Sequence, residues 1–342
     1  MEPLISIGLS TFNRPRFLKE AVSSVLKQSF QNFELIISND YIQTPVTFKS
    51  LGIKKDNRIL ILNQKKNLGE LNNLNYMLSL AEGDWFLWLA DDDLLHPDFL
   101  SIFYNTYKKK EFSNAVGFFS NFISAKIPEK KFPVALSPKK PTFYNQKDFL
   151  ILYTLKKINL IGCYGVMRKK YLQRIGGMLQ LGNSFSPYSD TLVPIMLLKY
   201  GNICWINQPL VFLRTHKDSL SCKSFDFSAY TSASDDFLKH LNETLSATTL
   251  DHISVLLCSN MLKWFAADEW AVINRDPSLS IHLKLKKFIS HQFRIHIIKL
   301  SGFYLFKHVL FIFHLLLRYY LRVIFNFFSP KSFFNEFRKY YK

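Results

Sequence analysis

Trp88-Leu-Ala-Asp-Asp-Asp-Leu-Leu-His-Pro-Asp-Phe-Leu100 sets three consecutive carboxylates, Asp91, Asp92 and Asp93, directly behind the apolar run Trp85-Phe-Leu-Trp-Leu-Ala90. Carboxylates side by side repel one another and gain nothing from an apolar core. One reading is a solvated turn ahead of a helix, with Asp93 or a neighbour as cap and Pro97 in the first turn. The other is a cation site, because Mg²⁺ and Mn²⁺ take carboxylate oxygens and share them with substrate phosphates. The chain on either side decides between them.

From residue 4 to about 213, short β-branched or aromatic runs alternate with helical patterns. Strands are predicted at Leu4–Ser10, Phe33–Ser38, Arg58–Leu62, Asp84–Leu89, Ala115–Phe122 and Ile203–Leu213. Helices are predicted near residues 15–28, 69–81, 97–109, 146–155, 169–175 and 189–200. This alternation predicts an α/β fold, a Rossmann-like, mostly parallel sheet flanked by helices. Ligands bind such sheets at the carboxyl ends of the strands. Asn13-Arg14, Asn39-Asp40 and the Asp triplet each follow a predicted strand. Beyond about residue 222 the pattern is helical to the end.

The 342 residues suffice for one large domain with an appendage, and nearly half of them are hydrophobic. The formal net charge of +18 is unevenly spread. Residues 281–342 hold twelve Lys/Arg against one acid, Glu336, a surplus of eleven, and 17 of the 54 aromatic residues. Such a segment suits an anionic surface. Cys163, Cys204, Cys222 and Cys258 form no C-x-x-C pair and read as buried thiols of a reducing compartment. The start, MEPLISIGLS, has no signal-peptide pattern and reads as a strand.

Four pieces stand in order: SIGLSTFNRPRFLKEAVSSVLKQSFQNFELIISND at 6–40, NLGELNNLNYMLSLAEGDWFLWLADDDLLHPDFL at 67–100, YSDTL at 188–192 and PLVFLRTHKDSLS at 209–221. Together they resemble glycosyltransferase family 2, the inverting nucleotide-sugar transferases with a GT-A fold. The resemblance covers residues 4 to about 221 and implies a GT-A catalytic domain over 1–221 with a helical region over 222–342. It puts Ser10, Phe12 and Asn13 against the nucleotide, with the Phe12 ring, where the family usually has Tyr, stacking on the base. Asp40 corresponds to the carboxylate that accepts a hydrogen bond from the base, as from uracil N3–H, which favours a UDP-sugar. Asn67 opens the next helix, and Asn75 matches a donor-side position, although Leu74 replaces the family's usual Arg.

The family's acidic run is D-x-D-D, and its first Asp is Ala90 here. By the same resemblance Asp91 contacts ribose, Asp92 binds Mn²⁺ or Mg²⁺, and Asp93 is an acceptor-side or outer group. Ser189-Asp190 matches the family's E-D element, with Asp190 as the catalytic base. A helix N-terminus would favour the ionised form of Asp190 and lower its basicity. Arg214-Thr-His216 matches R-x-H, with Arg214 neutralising donor charge and His216 completing the metal shell or bonding the diphosphate. Taken singly, Asp40 is a turn carboxylate, Asn75 a surface amide, Ser189 or Asp190 an N-cap, and His216 a satisfied polar residue. Four motifs in the family's order outweigh those readings.

The run Gly302–Phe328 is apolar but interrupted by Lys307, Arg318 and Arg322, leaving no charge-free stretch of the ~20 residues a spanning helix needs. On a helix Lys307, Phe311, His314, Arg318 and Arg322 form one stripe, which predicts attachment at a membrane interface. The competing reading is a helix packed on the catalytic domain or in a homo-oligomer. A nucleic-acid-binding protein is the rival class, but no RNP motif, zinc spacing or helix-turn-helix signature supports it. A nucleotidyltransferase would bring a Gly-rich phosphate loop, which SIGLSTFNRPR lacks. The expectation is a cytoplasmic, metal-dependent inverting glycosyltransferase, peripheral on the inner face of the cell membrane. Its partners would be a nucleotide-sugar donor, a glycan or lipid-linked glycan acceptor of surface polysaccharide or lipopolysaccharide synthesis, and anionic lipid, with no nucleic acid.

Overall fold

The computed structural model describes residues 4–126, 140–183, 186–216, 226–276, 278–299, 309–314 and 316–317. Its centre is a sheet whose strands are β1 (Ile5–Thr11), β2 (Phe33–Asn39), β3 (Ile59–Asn63), β4 (Trp85–Ala90), β5 (Leu94–Leu95), β6 (Ala115–Lys126), β7 (Thr142–Tyr144), β8 (Val166–Arg168) and β9 (Asn202–Thr215). The order is β3-β2-β1-β4-β8-β6-β9-β5, with β7 also on β9. The long registers are parallel, β1 with β2 and β4, β2 with β3, and β6 with β9. The antiparallel pairings of β5, β7 and β8 are only two or three residues long. Parallel strands are covered on both faces, so β4 reads as a continuous apolar run, and β1 and β4 are buried almost throughout.

The helices are α1 (Pro15–Leu26), α2 (Phe48–Leu51), α3 (Glu70–Leu80), α4 (Phe99–Tyr107), α5 (Gln146–Thr154), α6 (Lys169–Arg174), α7 (Ser189–Leu197), α8 (Phe227–Ala247), α9 (Ser254–Arg275) and α10 (Ile281–Lys299). Helix α1 starts with Pro15 in its first turn, where the missing N–H is harmless. It buries Leu18, Ala21, Val22 and Val25, the 3–4 spacing of one face. Together with Phe99, Leu100 and Phe103 of α4 they join the core built on Ile5, Leu35 and Trp85. Each Val, Leu, Ile or Phe among them contributes about 1.5–3 kcal/mol by leaving water.

Register positions the site. Ser10 of β1 stands opposite Ser38 of β2 and Ala90 of β4, so Thr11, Asp40 and Asp91 emerge together at one sheet edge. Leu94 pairs with Phe212, which brings the end of β9 beside the acidic loop.

Two compact units divide the chain, Met1–Ser224 with Ser228–Ser254, and Phe225–Phe227 with Val255–Lys342. All but the first residue of α8 therefore goes with the sheet, past the boundary expected at residue 222. The reason is packing: Tyr230 and Phe237 of α8 meet the Tyr188 ring edge-on, at 5.7 and 6.5 Å between centroids. Asp236 also accepts the Gly182 N–H at 2.8 Å. The second unit has its own small core of Ala266, Trp270, Ile273 and Phe288, with Phe311, Ile312 and Leu316 packed against it. Phe311, expected on the polar stripe of the tail, thus turns inward, while Lys307, Arg318 and Arg322 lie outside the described residues, as does Cys222. Among the described residues no helix is long and apolar enough to cross a membrane.

Candidate active site

The Asp triplet is no solvated turn: Asp91, Asp92 and Asp93 are only 3%, 8% and 2% exposed. Buried carboxylates need partners, and each has its own. Thr11 Oγ1 donates to Asp91 at 2.7 Å, and Arg14 Nη1 donates to its other oxygen at 3.1 Å. The same Arg14 nitrogen donates to Asp92 Oδ2 at 2.8 Å, and His216 Nε2 lies 2.9 Å from that oxygen. Burial raises the Asp91 carboxyl above its usual range, while Thr11 and Arg14 pull it back.

Asp93 faces the other way. The Tyr164 hydroxyl donates to one oxygen, and the Arg214 backbone N–H donates to the other at 2.8 Å. Both oxygens are used inside the protein, so Asp93 ties the end of β9 to the acidic loop. Burial, reinforced by the charge of Asp92, pushes its carboxyl up to about 7.

Arg214 is locked in place. Its Nε donates to the Asp92 carbonyl, its Nη1 pairs with Glu20, and its guanidinium lies 4.9 Å from the centre of the Phe17 ring. The Phe17 ring also meets His216, 4.7 Å between centroids. Arg214 Nη2 is buried without a hydrogen-bond partner among the described residues. A buried N–H in that state favours an acceptor supplied from outside the chain.

Just past β2, Asp40 accepts the backbone N–H groups of Leu68 at 2.7 Å and Gly69 at 2.9 Å. Asn67 Oδ1 accepts the same Gly69 N–H at 2.7 Å. Asp40 and Asn67 therefore tie down the turn that opens α3, and each Asp40 oxygen retains a lone pair. Phe12 is 50% exposed and makes a T-shaped contact with Tyr41 at 5.2 Å between ring centres. Ser10 is half-buried beside it, and Asn13 is exposed in the left-handed region, φ 53°, which Asn tolerates. Asn75 is fastened to the backbone of Met178. Its amide donates to the Met178 carbonyl at 2.8 Å and accepts the Met178 N–H at 2.9 Å, so both ends serve the backbone. A Cβ on Gly177 would run into that amide, and Gly177 has φ +70°, so glycine is required there.

Asp190 sits in the first turn of α7, two residues after Tyr188, a non-glycine at φ 73°. Such backbone costs ~1–3 kcal/mol and persists only where packing enforces it. Tyr230 and Phe237 supply that packing. On its other side Gly162 comes so close that a Cβ would land on the Asp190 carbonyl. Burial raises the Asp190 carboxyl above the ordinary carboxylate range, and hydrogen bonding with Thr191 only partly offsets it. The sequence argument from the helix N-terminus gave the opposite sign, because it lacked the desolvation. Ser189, where the family has Glu, donates to the Leu179 carbonyl at 2.8 Å.

Glu70 stands at the start of α3. It is open to water, yet the protein crowded around it and then the charges of Asp190 and Asp92 raise its carboxyl, while Arg14 lowers it. Glu70, Arg14, Glu20 and Tyr164 received no role from the sequence. Arg14 had a visible signal, its position just past a strand. Tyr164 had none, standing 71 residues from the carboxylate it bonds.

Among the described residues no group of three or more His, Cys, Asp and Glu could hold a metal ion. An octahedral ion with bonds of ~2.1 Å spans neighbouring ligand atoms ~3 Å apart. Asp92 Oδ2 and His216 Nε2 stand at that spacing, 2.9 Å. The pair would fit one edge of such a shell, and an Mg²⁺ or Mn²⁺ held there would supply Lewis-acid chemistry.

The family model for Glycosyl transferase family 2 matches residues 6–176. An uncharacterized glycosyltransferase of Haemophilus influenzae is 31% identical over 126 residues, 36% of this chain and 39% of that protein. WcaA of Escherichia coli, named for colanic acid biosynthesis, is 29% identical over 167 residues, 47% of this chain and 55% of that protein. The matched part thus spans about two fifths to just over half of these relatives. Among solved structures, S. aureus TarS 1–349 in complex with UDP-GlcNAc matches with a TM-score of 0.54 over 85% of this chain and 89% of that one. Its identity is 14%, so this likeness bears on the fold alone.

Proposed function

This chain belongs to glycosyltransferase family 2, and from that premise we propose that it moves a sugar from a nucleotide-sugar to a hydroxyl of a glycan acceptor, with a divalent metal at Asp92 and His216. The observation that carries the reading is the 2.9 Å approach of Asp92 Oδ2 and His216 Nε2 at the strand ends. When bound, Mg²⁺ or Mn²⁺ supplies Lewis-acid stabilisation of the diphosphate charge. The chain's own groups do the rest. Phe12 offers a ring face to the base and Asp40 its spare lone pairs to an imino N–H, which suits a UDP-sugar. Arg214 Nη2 offers an unused donor to the diphosphate.

Asp190 takes the proton of the attacking hydroxyl as the new C–O bond forms and the bond from the anomeric carbon to the diphosphate oxygen breaks. One displacement inverts the anomeric centre. The raised pKa of Asp190 suits a base that must hold the proton. The colanic acid name of WcaA supports a surface polysaccharide or lipid-linked glycan as acceptor. Attachment to the inner face of the membrane is supported by the surplus of eleven charges after residue 280 and by the exposed apolar side chains of residues 309–317. The test is a panel of nucleotide-sugars incubated with Mn²⁺ and soluble glycans. Release of nucleoside diphosphate with an inverted product supports the proposal; release of pyrophosphate instead would turn it to nucleotidyl transfer.

A further inference from the structure

Two arginines reach the acidic loop, and they differ in exposure. The Arg214 side chain is 3% exposed and bound at Glu20 and the Asp92 carbonyl. Arg14 is 26% exposed, and it reaches in from the start of α1 to serve Asp91 at 3.1 Å and Asp92 at 2.8 Å through a single nitrogen. The oxygen it takes on Asp92 is the one that faces His216. A guanidinium and a dication on one carboxylate oxygen repel strongly, because their charges are only a few ångströms apart. One of them has to give way, and Arg14, on a long side chain that is 26% exposed, can swing aside.

We propose that Arg14 is an exchangeable counter-ion: it holds Asp91 and Asp92 in the metal-free protein, yields Asp92 to the divalent cation, and turns its guanidinium to the donor diphosphate. This rests on the metal reading above. Without a cation, two buried and adjacent carboxylates would repel each other, and Arg14 neutralises them. Once a cation supplies that charge, the released guanidinium would be at hand for phosphates held by it, which it suits bidentately. Metal and diphosphate then help one another, since each makes the displacement of Arg14 easier, and the help is reciprocal. Arg14 acts here as a positioning residue for the donor.

Arg14→Ala tests the exchange, and Arg14→Gln keeps the length without the charge should the shorter variant fold poorly. Mn²⁺ binding is measured by electron paramagnetic resonance at pH 8, first alone and then with UDP or GDP, with circular dichroism to confirm the fold. Without nucleotide the variants should bind Mn²⁺ about tenfold more tightly than wild type, the worth of one charge-assisted bond removed from competition. With nucleotide, Mn²⁺-dependent UDP or GDP affinity should fall about tenfold. A merely structural arginine would weaken both. A folded variant that binds Mn²⁺ alone no more tightly than wild type overturns the exchange. Unchanged nucleotide affinity overturns the hand-over to diphosphate. Mn²⁺ binding by neither wild type nor variant sinks the metal reading itself.

Discussion

Asp92 Oδ2 and His216 Nε2 lie 2.9 Å apart although 124 residues separate them in the chain. The pairing of Leu94 with Phe212 makes this possible, because it runs the end of β9 back along the acidic loop. Asp92→Asn should therefore abolish the thermal stabilisation given by Mn²⁺ plus nucleoside diphosphate while leaving the fold intact. His216→Ala should weaken it about tenfold or more, as loss of one of two protein ligands implies. A variant of Asp92 that binds as wild type does would remove the metal from this loop.

Asp190→Asn should keep donor affinity and lose transfer by about 10²-fold or more, the usual contribution of a positioned base. The base works ionised, so kcat/KM should fall as pH drops through the Asp190 pKa. Burial raises that pKa, so the acid limb should lie above the ordinary carboxylate range. The linkage has a second consequence. The native state binds this proton more tightly than the unfolded chain, so ionisation costs native stability as pH rises past the usual carboxylate pKa. Asp190→Asn should consequently melt higher than wild type at pH 8. An acid limb near pH 4 with no gain in Tm would contradict the burial account.

Much of the fold is legible in the sequence because parallel strands buried on both faces leave uninterrupted runs such as Trp85–Ala90. Strands β5, β7 and β8 left no such trace. They are two or three residues long, and their pairing is dictated by tertiary neighbours. The Asp triplet pointed to the site, but the division of labour within it did not follow from spacing. Asp92 faces His216 and Arg14, whereas Asp93 is claimed by Tyr164 and Arg214. The shift of Asp190 depended on the desolvation created by packing, which no local pattern encodes.

Asn75 separates a structural role from a ligand-binding one. Its two hydrogen bonds to Met178 fasten α3 to the turn after α6. Asn75→Ala leaves a part-buried N–H and C=O unpaired and should cost about 1–3 kcal/mol. Denaturant unfolding would register that loss, with Mn²⁺-dependent nucleotide affinity nearly unchanged. A variant of full stability and weakened nucleotide binding would instead return Asn75 to the donor site.

The second unit tests membrane attachment by its own geometry. Phe311, Ile312 and Leu316 pack on the core of Trp270 and Phe288. Val309, Leu310, Phe313 and Leu317 remain 46%, 50%, 64% and 44% exposed. These four recur at helical spacing on the side away from that core, and the flanking chain is strongly basic. Apolar insertion and charge should then act together on an anionic bilayer. Wild-type protein should sediment with vesicles containing anionic lipid, less with neutral ones, and part should be released at 1 M salt, where the Debye length falls from ~10 Å at 0.1 M to ~3 Å. The double variant Leu310→Ser with Phe313→Ser removes exposed surface without touching the packed side chains. It should keep its Tm and lose vesicle binding by about tenfold. If it binds vesicles as wild type does, the exposed face is not the contact. If wild type ignores anionic vesicles altogether, the helix serves only the core it packs against.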